Sequence, residues 1–297
     1  MCSGCPNPSS RRGLTSVLIA LNRRYEVPGS GIRITGAPTQ LMTAIAAFSV
    51  TALGGVPLVA PGADLASIII EAVAESGLAL GDGDVIVLAQ KIVSKAEGRS
   101  VALASVEPSA RALELAPQCA KDPRLVELVL AEATEVMRVR PGVIIVRHRL
   151  GLVLANAGID QSNIEHEGGP HALLLPLDPD GTCDAVRTAL RERTGRDVAV
   201  LIIDSLGRAW RQGTTGTAIG VSGMAALLDL RGSADLYDRK LETSELGLAD
   251  EVAATASLVM GQANEGTPIV LIRGLRLAGI EGKATDLIRP RHMDLFP

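Results

Sequence analysis

Four stretches of this chain end an apolar run in residues able to hold a cation or a phosphate. "VLANAGIDQSN" delivers Asn156, Asp160, Ser162 and Asn163, and "VAVLIIDSLGRAWRQGTTGTAIG" delivers Asp204 and Ser205, then Arg208 and Arg211 around the only tryptophan, Trp210. "SLVMGQANEGTP" supplies Gly261, Gln262, Asn264 and Gly266, and "VIVLAQKIVSK" supplies Gln90, Lys91, Ser94 and Lys95. Ligands of sheet proteins collect at such strand ends. Carboxylate, hydroxyl and amide oxygens suit magnesium or manganese, and these stretches offer neither thiolate nor imidazole. Each signal alone has an ordinary reading, since an Asp after a strand often caps a helix and a lone lysine is often surface charge. Together they point to phosphate chemistry without a covalent nucleophile, in which metal, cationic side chains and glycine turns neutralise and position phosphate oxygens.

Other sites with familiar signatures do not fit. "GIEGKAT" offers Gly282-Lys283 but lacks the upstream glycine and the adjacent hydroxyl of a P-loop, and no G-x-G-x-x-G occurs. "GVSGM" around Ser222 is not a nucleophile elbow, and His148, His166, His171 and His292 form no set with it.

The elements that must position these residues read as α/β. "GGVPLV" predicts a short strand, and Asp64 a cap for a helix whose apolar residues run from Leu65 to Val73. A buried strand is expected over Val85 to Ala89, helices around Ser109 to Gln118 and Pro123 to Val139, and two β-rich runs after Pro141-Gly142. A helix ending at Gly195 precedes the strand that reaches Asp204-Ser205, beyond which a substrate-facing loop is expected. A helix near Leu248 to Met260 and the strand "PIVLIRG" close the pattern. Without regular βαβ alternation this is an α/β protein with a mixed, α+β-like sheet, and neither a P-loop nor a Rossmann fold.

Composition narrows the class. The chain has 297 residues, 47% apolar and 21% charged, which is globular. A net charge of -4 and only 2% aromatics argue against nucleic acid as a partner. No apolar run reaches the roughly 20 residues of a membrane span. Four scattered cysteines, including Cys2-x-x-Cys5, make no disulfide framework and suit a reducing, cytoplasmic setting. Residues 1–41, with five arginines and one acid, read as a flexible extension to a main domain over 42–297.

"GDVIVLAQKIVSKAEGR", "GLVLANAGIDQSNI", "LLLPLDPDG", "DSLGRAWRQGTTGTAIGVSG", "DLRGSADLYDR", "DEVAATASLVMGQANEGTPIVLIRG" and "ATDLIRPRHMDLF" appear in order. This series closely resembles the coenzyme F420-0:L-glutamate ligase family from about Phe48 to the end. The resemblance implies a GTP-dependent ligase that phosphorylates a terminal carboxylate of F420-0 and joins it to the α-amine of L-glutamate, with further γ-linked additions in some members. It also implies two divalent ions (Mg2+ or Mn2+), K+, and a homodimer.

Carried over motif by motif, Asp160 and Asp204 would hold one metal, and Ser205 and Gln262 the second. Ser205 replaces a threonine common in relatives, and Gln262 a glutamate found in some, which removes a charge. GTP would meet Gly54, Gly55, Val56, Pro57, Gln90, Lys95, Asn163 and the turn Gly261, Gln262, Ala263, Asn264, Glu265, Gly266, Thr267 and Pro268. Asp160, Asp204, Lys95 and Arg208 are the expected catalytic residues. By chemistry alone, Arg208 or Arg211 could grip substrate carboxylates or serve structural ion pairs. A ligase of this fold acting on another carboxylate and a non-catalytic nucleotide-binding module remain the alternative readings.

Overall fold

Two runs of branched aliphatic residues, Val85–Ala89 and Ala199–Arg208, lie side by side as parallel strands, in register from Val85 opposite Ala199 to Ala89 opposite Ile203. The structure is a computed structural model and describes residues 47–161, 169–277 and 279–294. In chain order its elements are β1 (Ser49–Ala52), α1 (Leu65–Glu75), β2 (Val85–Ala89), α2 (Gln90–Ala96), β3 (Ser100–Ala102), α3 (Ala110–Cys119), α4 (Pro123–Ala131), β4 (Ala133–Arg140), β5 (Val143–His148) and β6 (Val153–Ala155). They continue with β7 (His171–Leu173), α5 (Pro179–Thr194), β8 (Ala199–Arg208), β9 (Arg211–Ser222), β10 (Leu228–Asp229), β11 (Glu245–Leu246), α6 (Leu248–Met260) and β12 (Ile269–Arg273). The main sheet has the order β1-β12-β2-β8-β9, and only its β2–β8 pairing is parallel. This is the expected mixed-sheet α/β architecture.

Strand alternation sorts the core into two layers. Ile86, Leu88, Val200, Ile202, Ile269 and Leu271 face α1, α2 and α5. Val85, Val87, Leu201, Ile203, Val270 and Ile272 face α6. Strands buried on both faces need apolar residues at every position, which is why these runs show no polar alternation. Asp64 caps α1 as expected, accepting from the Ala66 and Ser67 N–H groups. None of the described helices is long and apolar enough to cross a membrane.

Three expectations are corrected. The helix begun at Pro123 stops at Ala131, and residues 133–140 form β4. β-branched Val136 and Val139 pair with β5 there across the Pro141-Gly142 turn, with Gly142 at φ 84°. The strand expected at "GGVPLV" lies instead at Ser49–Ala52, where β12 offers a partner. The strand that reaches Asp204 does not end there. β8 continues to Arg208, turns through Ala209-Trp210 and returns as β9, so a β-hairpin arm replaces the expected loop.

The outer strand β9 is held from both helical layers. Asp180 in the first turn of α5 accepts from Val221 N–H at 2.8 Å, and Asp250 in the first turn of α6 accepts from Ala218 N–H at 2.9 Å. Two glycines permit this closeness: a Cβ on Gly216 would lie 2.5 Å from the Ala253 carbonyl oxygen, and one on Gly220 2.6 Å from that of Pro179. These glycines of the "TTGTAIG" run are therefore packing residues.

A smaller layer, α3 and α4 on β4–β5–β6, has its own core of Leu115, Val126, Val129, Ile144 and Val146. An ionic cluster around Glu132 ties it to the main body. Arg99 donates to Glu132 at 2.8 Å and to the Leu175 carbonyl at 3.0 Å, while Arg149 donates to Glu132 at 3.0 Å and to the Pro176 carbonyl at 2.7 Å. His148 Nδ1 accepts from Leu150 N–H, which leaves its hydrogen on Nε2, 3.3 Å from Glu132 Oε2. Burial raises the Glu132 pKa, but His148, Arg99 and Arg149 outweigh it and bring the carboxyl down to about 2.

A carboxyl lowered in the folded state stabilises the fold above its unfolded pKa and loses that contribution as pH falls towards the folded value. Glu132→Gln is expected to cost about 3 kcal/mol at pH 7 in urea titrations and to flatten the loss of stability between pH 4.5 and 2. Gly216→Ala is expected to cost about 1–3 kcal/mol by the same measurement, because α6 must back away from β9.

Candidate functional site

The parallel register brings two polar strand exits together. Gln90 and Lys91 follow directly on Ala89, and Asp204 follows on Ile203, its partner in the ladder. α2 begins without a connecting loop, so Lys91 stands in its first turn. Just beside Asp204 a β-bulge inserts Ile219 into β9, and Asp204 then pairs with Thr217. Bulges of this kind re-aim side chains next to sites.

Asp160 arrives from the other side. After β6, Asn156, Ala157 and Gly158 all take left-handed backbone, at φ 51°, 54° and 67°. Left-handed backbone at the two non-glycine residues is strained, and the turn is held by Asn156 Oδ1, which accepts from Ile144 N–H at 3.2 Å. Asp160 then exchanges both backbone hydrogen bonds with Leu173 at the end of β7. Its carboxylate Oδ2 meets Lys91 Nζ at 2.6 Å.

These three groups share one field. Burial raises the pKa of Asp204 and the Asp160 charge adds to that, while a hydrogen bond from Ser205 N–H and the Lys91 ammonium oppose it. Alternation along β8 sends Asp204 to the face of α1, α2 and α5, and Ser205 to the face of α6. There Ser205 Oγ donates to Gln262 Oε1 at 2.7 Å. Of the four expected metal residues, Asp160 and Asp204 thus act on each other electrostatically on one face, and Ser205 and Gln262 are hydrogen-bonded on the other.

The residues expected around a nucleotide share this sheet edge. Leu53 N–H donates to the Ile269 carbonyl and Ala89 N–H to that of Pro268, so Gly54–Pro57 and the turn before β12 lie on the same side as Gln90. Gly54 is exposed, Gly55 has φ 72° and Val56 packs on the main core. In the turn after α6, the Glu265 carboxylate accepts from Ala263 N–H at 2.8 Å, and backbone hydrogen bonds from Ala263, Glu265 and Gln262 lower its pKa. Gly261, at φ 79°, leaves room for that carboxylate, which a Cβ would meet at 2.5 Å. Thr267 Oγ1 donates to the Met260 carbonyl at 3.0 Å.

Not every expected residue stands at the centre. Gln90 is buried, with its Oε1 accepting from Ser94 Oγ at 2.9 Å, so its carbonyl end serves α2. Lys95 lies one helical turn beyond Lys91, near the C-terminus of α2, where a cation suits the helix dipole. Arg208 lies four residues past Asp204 on an exposed arm, about 13 Å along the strand, and donates to the Gln212 carbonyl. The arm does not bring it to the carboxylate pair. Asn163 falls outside the described residues, as do residues 1–46. Lys91 is the member that motif reading passed over in favour of Gln90 and Lys95; the signal was its position two residues after a strand that pairs with the one leading to Asp204.

The donor set is all oxygen, two carboxylates with a hydroxyl and an amide carbonyl, which fits hard divalent cations. Among the described residues no group of three or more His, Cys, Asp or Glu side chains gathers. A cation here would complete its shell with phosphate oxygens and water, as magnesium commonly does.

The profile of the F420-0:gamma-glutamyl ligase family matches residues 55–274. The chain is 47% identical over 251 residues to the coenzyme F420:L-glutamate ligase of Methanothermobacter thermautotrophicus, covering 84% of this chain and 98% of that protein. It is 47% identical over 242 residues to the protein of the same name from Methanopyrus kandleri, covering 80% and 93%, and 43% identical over 242 residues to that from Archaeoglobus fulgidus, covering 82% and 93%. The matched residues contain both site pairs and every strand after β1, and the chain belongs to the F420-0:gamma-glutamyl ligase family.

Proposed function

We propose that this ligase joins L-glutamate to coenzyme F420-0 at the expense of GTP. The reading rests on one observation above all: in a chain of this family, the charges of Asp160 and Asp204 act on each other at one sheet edge, with Ser205 and Gln262 paired on the opposite face. The γ-phosphoryl group of GTP passes to a carboxylate oxygen of F420-0, leaving GDP. The glutamate α-amine, freed of its extra proton, attacks the activated carbonyl carbon. The amide C–N bond forms as the C–O bond to phosphate breaks.

In this reading Asp160 and Asp204 hold one Mg2+ or Mn2+, and Ser205 with Gln262 contributes to the second; K+ assists. Bound cations supply neutralisation of phosphate charge. The chain itself orients the reactants. Gly54 to Pro57, Gln90, Asn163 and the 261–268 turn receive the nucleotide, and Lys95 adds positive charge one helical turn from Lys91. Arg208 belongs to the grip on an acidic substrate or to contacts with a second copy.

The arm supports a homodimer. Trp210 is 86% exposed at its tip, and residues 207–214 are exposed apart from that hairpin's own ladder. An exposed tryptophan between two arginines is the kind of anchor that interfaces bury.

Incubation of the protein with F420-0, L-glutamate, GTP and Mn2+ is expected to yield a product heavier by one glutamyl residue in the mass spectrum; absence of product, with and without K+, would overturn the assignment. Asp204→Asn is expected to lower turnover about 100-fold or more while GTP binding by calorimetry persists. Its thermal stability should hold or rise, since a carboxyl whose pKa is raised by folding costs stability when ionised. Retained turnover would remove Asp204 from the cation site.

A further inference from the structure

We propose that Lys91 is the resident counter-ion of the Asp160–Asp204 pair and competes with the divalent cation for Asp160, giving that carboxylate up when the cation binds. The inference rests on the cation-ligand assignment made above and adds to it the order in which the site fills.

The geometry supplies the competition. Lys91 Nζ lies 2.6 Å from Asp160 Oδ2, so a carboxylate assigned to the cation already has an ammonium against it. The Lys91 charge also acts on the neighbouring Asp204 carboxylate while it pairs with Asp160. One ammonium therefore serves both acids, offsetting one of their two negative charges where a divalent ion would offset both.

The same geometry makes the exchange feasible. The two side chains are 30% and 29% exposed, so solvent and ions reach the pair. The Lys91 backbone is fixed, because α2 starts directly from β2 with no loop between them. Its four-carbon stem has several rotatable bonds about that fixed point. Once a divalent ion takes Asp160, the displaced ammonium stays within the length of its own side chain, beside the edge where phosphates would lie. Exchange thus turns a site left with one net negative charge by its own lysine into one with surplus positive charge. The divalent ion should therefore bind first and strengthen nucleotide binding.

The test uses the full chain and Mn2+ as probe. By calorimetry or electron paramagnetic resonance, Lys91→Met is expected to bind Mn2+ about tenfold more tightly than wild type, and Lys91→Arg within about twofold of it, since the arginine keeps the competing charge. Unchanged or weaker Mn2+ binding by Lys91→Met would overturn the proposal. Wild-type protein supplies a readout independent of any variant's folding: reductive methylation followed by peptide mass spectrometry should show faster labelling of Lys91 in saturating Mg2+ than in chelator, and equal rates would overturn it. Asp204→Asn separates the two levels of inference. If Asp204→Asn leaves Mn2+ binding untouched, the ligand assignment falls and the proposal with it; if Asp204→Asn abolishes binding while Lys91→Met changes nothing, only the counter-ion role falls.

Discussion

The parallel ladder between β2 and β8 is the constraint from which the site follows. Because Ala89 stands opposite Ile203, the first residues beyond the ladder on both strands emerge at the same height and within reach of each other. Strands far apart in sequence and buried on both faces can be joined only through a long excursion, and here that excursion contains the α3–α4 layer and the strained turn that delivers Asp160. The crossover that the sheet requires is also the segment that supplies the second carboxylate.

Position and charge are coupled through that excursion. Asp160 is fixed to the sheet by its exchange of hydrogen bonds with Leu173, and two residues further on the Leu175 carbonyl accepts from Arg99, which in turn holds Glu132. The Glu132 cluster thus sets where the smaller layer rests, and that position sets where Asp160 points. Asp204, by contrast, sits on the rigid main sheet. The site joins a carboxylate of fixed placement to one whose placement depends on an ionic anchor.

Local signals exposed much of this and long-range ones did not. The cap at Asp64, the helix over Leu248 to Met260 and the strand over Val85 to Ala89 follow from spacing and capping residues that lie within the element itself. β4 was hidden because residues 133–140 continue an apolar pattern begun in α4, and only pairing with β5 makes them extended. The continuation of β8 past Asp204 was hidden for the same reason: Gly207, Gly213 and Gly216 read as loop until β9 is laid beside them. Among the site residues, Asp160, Asp204, Ser205 and Gln262 were legible as types at strand ends. Lys91 was visible at a strand end too, but its place beside Asp204 depends on knowing which strand β2 adopts as neighbour.

The carboxylates at the edge of β9 carry a consequence for the protein at high concentration. An outer strand with vacant N–H groups is a template on which further chains can stack. Here Asp180 and Asp250 occupy donors of that strand where it is most apolar, around Ala218 to Val221. The stretch that stays accessible is the glycine- and threonine-rich arm, poor in the flat apolar surface that fibrils need. Two helix-opening aspartates therefore act as guards against runaway strand addition, and confine any recruitment of a neighbouring strand to a short segment ill suited to propagate it.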